Sequence, residues 1–214
     1  MSATDVLRGH RVVPVVVLDD PGRADDLGAA LVAGGMPIAE ATFRTPEAAA
    51  VLRRLAARSD LIVGAGTVLT ADQVDLAHDA GARFVVSPGL SVAVVRRCQA
   101  LDLPVIPGIS TASEIMAALA LGLDTVKFFP AEASGGLPTV KALAAAFPQV
   151  RFVPTGGITA QSAPTYLAHG SVAAVGGSWM VAPDLLAAGQ WDEVAARCSA
   201  TVTAVGPAAP TSDL

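Results

Sequence analysis

Along the chain, short runs of apolar and β-branched residues recur about every 20 to 26 residues, separated by longer Ala- and Leu-rich stretches with polar positions at helical spacing. The runs fall at 12–18, 38–42, 61–65, 84–86, 105–107, 125–129, 151–154 and 172–175. Their apolar character is continuous, as expected of strands buried on both faces of a parallel sheet. The stretches between them begin with helix-start chemistry. Asp20-Pro21 and Thr45-Pro46 set a capping side chain before a proline, while Thr70 to Gln73 and Thr111 to Glu114 fit the reciprocal capping box. Gly34, Gly81, Gly122 and Gly170 sit where helices should stop in a left-handed residue. Eight βα units predict an α/β fold, a (β/α)8 TIM barrel forming a single domain over residues 1–205, with 206–214 as a disordered C-terminal tail. The competing doubly wound sheet lacks its glycine fingerprint, since the chain reads Val17-Leu18-Asp19-Asp20-Pro21 after the first run.

Composition narrows the function classes. With 52% hydrophobic and 15% charged residues among 214, the chain is too apolar to be disordered. Its longest stretch without Asp, Glu, Lys or Arg, 152–183, is broken by Pro154, Gly156, Gly157, Gln161, Pro164 and His169, so no membrane span is expected. The first residues carry Asp5, Arg8 and Arg11 and no signal-like apolar core, which predicts a cytoplasmic protein. A net charge of −5 and scattered arginines argue against nucleic acid as a partner. Cys98, Cys198 and the three histidines lack ligand spacing, so no metal is expected.

In a barrel of this kind chemistry belongs at the C-terminal strand ends, and phosphate at the loops after strands seven and eight. Those loops read Pro154-Thr155-Gly156-Gly157-Ile158 and Gly176-Gly177-Ser178-Trp179. Adjacent glycines let backbone N–H groups converge on an anion, and Ser178 adds a hydroxyl; the competing account is two tight turns. Only two lysines stand against twelve arginines, and one, Lys127, lies inside the sixth apolar run. Burial disfavours the charged form of a lysine, and a neutral amine can attack a ketone to form a Schiff base. Strand parity puts Thr125, Lys127 and Phe129 on one face, and Glu40, Thr42 and Arg44 on one face of the second run. Even-numbered strands feed the same interior layers, so Lys127 and Glu40 are expected to meet, with Glu40 shuttling protons and Arg44 gripping a carboxylate. The alternative is a buried ion pair that only fills the interior. Such a pair is a poor device for stability alone.

With these residues in view, the sequence resembles the 2-dehydro-3-deoxy-phosphogluconate (KDPG/KHG) aldolases, class I enzymes of the Entner–Doudoroff pathway. The matching motifs, in order, are Val13 to Val16, Glu40-Ala41-Thr42-Phe43-Arg44-Thr45, Gly64-Ala65-Gly66-Thr67-Val68, Ser87-Pro88-Gly89, Pro107 to Thr111, Lys127-Phe128-Phe129-Pro130-Ala131-Glu132, and the two glycine loops. The resemblance implies a Schiff-base lysine at Lys127, a proton-transferring glutamate at Glu40, carboxylate binding by Arg44 with Thr67, substrate packing on Phe129, and a phosphate grip at Gly156, Gly157 and Ser178. It implies an aldehyde-lyase that cleaves 2-dehydro-3-deoxy-6-phosphogluconate to pyruvate and glyceraldehyde 3-phosphate, with 4-hydroxy-2-oxoglutarate as a further substrate, no cofactor, and a homotrimer. Phe43, Ala41 and Pro37 depart from the family's usual residues. A sugar-phosphate isomerase or epimerase on the same barrel would leave Lys127 unexplained. A noncatalytic phosphosugar-binding protein should have lost Lys127 or Glu40, and both are present.

Overall fold

The structure, a computed structural model, describes residues 2–207. All eight predicted strand regions form strands, β1 (Val12–Val16), β2 (Ile38–Thr42), β3 (Ile62–Gly66), β4 (Val85–Val86), β5 (Val105–Ile106), β6 (Gly108–Ile109), β7 (Thr125–Phe128), β8 (Arg151–Pro154) and β9 (Val175–Gly177). There are nine because the fifth run ends at Pro107 and a further short strand, Gly108–Ile109, follows directly after it. Every ladder is parallel, but the eight-stranded closed barrel expected from the repeat is not what forms. The strands make a six-stranded sheet in the order β5-β4-β3-β2-β1-β9 and a separate three-stranded sheet β6-β7-β8.

Two local causes account for the correction. Proline has no N–H to give to a ladder, and at Pro107 the chain changes neighbours. Ile106 accepts from Ser87 N–H on the β4 side at 3.3 Å, whereas the Pro107 carbonyl accepts from Lys127 N–H at 2.8 Å. At the other seam β9 begins late, at Val175, and its region meets β8's only at two isolated bridges, Phe152 to Val172 and Thr155 to Gly176. Of the expected tail, Gly206 and Pro207 are described, and Arg11 donates to the carbonyls of Val205 and Pro207. Residues 208–214 lie outside the described residues.

Helices cover the outer faces of the sheets, and a large apolar cluster that includes Leu27, Leu31, Leu52, Leu55, Phe128 and Phe152 fills the layer between. A second cluster occupies the interior near the strand starts, where the short helix Ala3–Leu7 inserts Val6 and Leu7 among Val13, Ile38, Phe84, Val86, Ile106, Val153 and Ala174. Thr111 and Glu114 form the predicted capping box, and Thr70 accepts from Gln73 N–H at 3.2 Å. Thr45 does not cap. Its hydroxyl donates to the Leu18 carbonyl, and the helix Ala48–Ala56 starts later, without a side-chain cap. Gly81 and Gly122 are left-handed as expected, but Gly34 is not, and Gly35 takes that conformation instead. Gly34 is required for another reason, since any Cβ there would run into Cys198 and Ala195 of the helix Trp191–Val205. Gly170 is not left-handed either. Among the described residues no helix is long and apolar enough to cross a membrane.

Candidate active site

Lys127 lies in the middle sheet position of β7, in register with Gly108 on one side and Val153 on the other. Glu40 holds the matching place in β2, between Val15 and Gly64. These strands belong to different sheets, yet their side chains meet across the interior, with Lys127 Nζ 3.2 Å from Glu40 Oε1. The residues are only 2% and 3% exposed, which makes this the single salt bridge removed from water among the described residues. Gly66 makes the arrangement possible, because a Cβ at that position would overlap the Glu40 carboxylate. Thr42, buried one step further along β2, donates to the Val16 carbonyl at 2.8 Å and ties the strand end to β1. The sequence places Gly66 inside a matching motif and Thr42 on the Glu40 face, but gives neither a role. A glycine one strand over and two residues beyond a buried carboxylate is the signal that could have found the first.

The remaining predicted residues ring the strand ends. Phe129, half-buried, directs its ring to within 5.2 Å of the Lys127 ammonium, a cation–π distance, and the Phe129-Pro130 peptide that follows is cis. Arg44 is exposed just past β2, and its Nε donates to Thr67 Oγ1 at 3.0 Å. Among the described residues Arg44 has no acidic partner, so its guanidinium is available to an anion. Thr67 holds a left-handed backbone, φ 56°, immediately after β3, a strained setting for a β-branched residue and one that turns its hydroxyl to Arg44. Gly156 and Gly157 are left-handed, φ 101° and 82°, and Ser178 is exposed at the end of β9. Ser178's hydroxyl makes no hydrogen bond among the described residues. The structure thus joins Lys127 to Glu40 and Phe129, and Arg44 to Thr67. Phe129 also links this group to the first glycine loop, since a Cβ on Gly156 would stand 3.3 Å from its ring.

Burial pushes the Cys98 and Cys198 thiols up to about 12, which leaves them protonated and unsuited to nucleophilic work. Glu114, beside the β6 end, is held below the usual carboxylate range, first by the Ser110 N–H, despite a partial burial penalty. A cavity of about 390 Å³ lined by His10, Arg11, Met36 and Val205 opens at the strand-start side, and none of the predicted site residues lines it.

A buried lysine against a buried carboxylate, a free arginine at the rim and two left-handed glycines form a constellation that can be compared with known proteins. The family model described as KDPG and KHG aldolase matches residues 3–197. The chain belongs to this family. The 2-dehydro-3-deoxy-phosphogluconate aldolase of Treponema pallidum is 47% identical over 205 residues, 94% of this chain and 97% of that protein. The KHG/KDPG aldolase of Escherichia coli K12 is 45% identical over 194 residues, 90% and 91% of the two chains. Among solved structures, the KDPG aldolase of Legionella pneumophila, with pyruvate captured as a covalent carbinolamine intermediate, superposes with a TM-score of 0.91 at 40% identity, covering 94% of this chain and 98% of the other. The fold described above is therefore shared with that solved aldolase.

Proposed function

We propose that this member of the family is a class I aldolase that cleaves 2-dehydro-3-deoxy-6-phosphogluconate to pyruvate and glyceraldehyde 3-phosphate, and acts also on 4-hydroxy-2-oxoglutarate. The observation that carries the reading is the 3.2 Å approach of Lys127 to Glu40 in an interior that admits almost no water. The Lys127 amine attacks the C2 ketone, and loss of water gives an iminium that serves as the electron sink. Glu40 takes the C4 hydroxyl proton as the C3–C4 bond breaks, releasing the aldehyde; the enamine is then protonated at C3, and water hydrolyses the pyruvyl iminium. Arg44, steadied by Thr67, holds the substrate carboxylate with its planar fork. Phe129 covers the iminium, and Gly156, Gly157 and Ser178 receive the phosphate through backbone N–H groups and a hydroxyl. Isomerase and noncatalytic readings give the Lys127–Glu40 pair nothing to do.

Replacing Glu40 by Gln tests the proton transfer, since the shape is kept and the base is lost. Pyruvate release, coupled to NADH oxidation by lactate dehydrogenase, should fall by about 10² to 10⁴. Undiminished turnover in a folded variant would remove Glu40 from the mechanism. The same proposal makes the enzyme a homotrimer. Leu69, Leu76, Val92 and Met116, each more than half exposed on neighbouring outer elements, are the surface that supports it. Light scattering should return three times 21.5 kDa, and a mass of 21.5 kDa would contradict it. Cytoplasmic residence is likewise proposed, supported by Cys98 and Cys198 persisting as buried free thiols.

A further inference from the structure

The turn after β7 and the loop after β8 are laced together by backbone hydrogen bonds. Ala131 N–H donates to the Thr155 carbonyl at 2.8 Å, and Glu132 N–H to the Gly156 carbonyl at 3.0 Å. Both glycines of the loop lie flush on that turn. A Cβ on Gly156 would stand 3.2 Å from Pro130 Cα, and one on Gly157 would stand 2.6 Å from Glu132 Cγ. The aliphatic stem of Glu132 is therefore the floor on which Gly157 rests. Its carboxylate does not wander, because the hydroxyl of Tyr166 donates to Glu132 Oε1 at 2.6 Å. Tyr166 is only 3% exposed, seated by its ring in the core from the helix Ala163–Leu167, and is the chain's sole tyrosine. Gly136, left-handed at φ 63°, closes over the pair, with space for a Cβ only 3.1 Å from the phenolic oxygen. Burial first, and then the Glu132 carboxylate, raise the Tyr166 phenol above its ordinary value, so the phenol remains the donor at any working pH.

We propose that Tyr166 and Glu132 are a positioning pair that sets the Gly156–Gly157 loop for the phosphate end of the substrate. The inference rests on the reading of that loop as the phosphate site. A carboxylate directly under an anion loop would otherwise be a liability, since a negative charge opposes a bound phosphate. The phenolic hydrogen bond fixes where that charge sits and keeps the stem against Gly157. Because neither residue of the pair hydrogen-bonds to Lys127 or Glu40, it should govern affinity for phosphate and not the carbon chemistry.

The test compares Tyr166→Phe, Glu132→Ala and Glu132→Gln by three readouts: KM and kcat for the phosphorylated aldol substrate, Ki for inorganic phosphate, and borohydride trapping of pyruvate on Lys127. For Tyr166→Phe and Glu132→Ala, KM and the phosphate Ki should each rise about tenfold, the scale of one hydrogen bond to a charged group, with kcat and pyruvate trapping within twofold. Glu132→Gln, whose amide oxygen still accepts the phenolic proton, should restore KM and Ki to within twofold of the parent. If phosphate inhibits the parent competitively and Tyr166→Phe leaves its Ki unchanged, the pair is not a positioning device, though the loop reading stands. If phosphate does not compete in the parent, the loop reading fails and the pair's role fails with it. Equal losses in phosphate affinity and in pyruvate trapping would reduce the pair to general structural support.

Discussion

The interior between the sheets holds two regions built by the same strands. Near the strand starts it is apolar but for Thr125 of β7, whose hydroxyl lies 3.0 Å from that of Thr4. Ile38 of β2, Phe84, Val86 of β4, Ile106 of β5 and Val153 of β8 pack around Val6 and Leu7. Two residues further along β2 the inward position is Glu40, facing Lys127 of β7. The base is what ordinary packing produces. The ion pair is what packing alone would avoid, because removing two charges from water costs more than their attraction usually returns. The contrast locates function by its expense.

The sharpest break in that contrast is Lys127→Met. Turnover should fall by at least about a thousandfold, because the other lysine of the chain, Lys141, is exposed on a helix and cannot form the iminium in the interior. Stability should also drop, by about 3 kcal/mol, from leaving Glu40 buried without a partner. Adding Glu40→Leu to Lys127→Met should recover most of that stability while activity stays absent, which chemical denaturation beside the pyruvate assay would show. The opposite pattern belongs to the base. Phe84→Ala should cost about 3–5 kcal/mol in denaturant unfolding and leave kcat per folded molecule within about twofold.

Strand parity made this division legible before the structure did. Alternation along 125–129 and 38–44 is a local property of a strand, and it groups Lys127 with Phe129 and Glu40 with Arg44 whichever sheet each joins; that the two faces would meet rested on barrel layering. Sheet closure is not local. It failed at Pro107, where a missing N–H lets the chain exchange β4 for β7, and at the glycine-rich β9, whose region meets β8's at only two bridges. Gly34 shows the same limit from the other side. Its position past a helix suggested a left-handed stop, but a distant helix, Trp191–Val205, fixes its need for no Cβ. Tyr166 and Glu132 lie 34 residues apart with no pattern joining them, so only the fold reveals their hydrogen bond.

The smallest effect expected concerns the rim. Glu114 accepts N–H bonds from Ser110 and Thr111, so its carboxyl titrates lower in the folded protein than in the unfolded chain. A lowered folded value stabilises the protein above the unfolded value, about 4.3, and that stabilisation is lost as pH falls through the folded value. Glu114→Gln should therefore lower stability by about 0.5–1 kcal/mol at pH 7, allowing for solvent screening, and the gap should close in melts below about pH 4. A gap that persists undiminished in acid would mean that the carboxylate's charge is not what stabilises this helix start.

The most direct test of the central claim is to trap the Schiff base itself. The protein is incubated with pyruvate, reduced with borohydride, digested, and the added mass located by peptide mapping, with exposed Lys141 of the helix Gly136–Ala146 as the internal control. A stable adduct confined to Lys127 is the predicted result. No adduct, or equal labelling of Lys127 and Lys141, would contradict it and leave the buried lysine a structural charge.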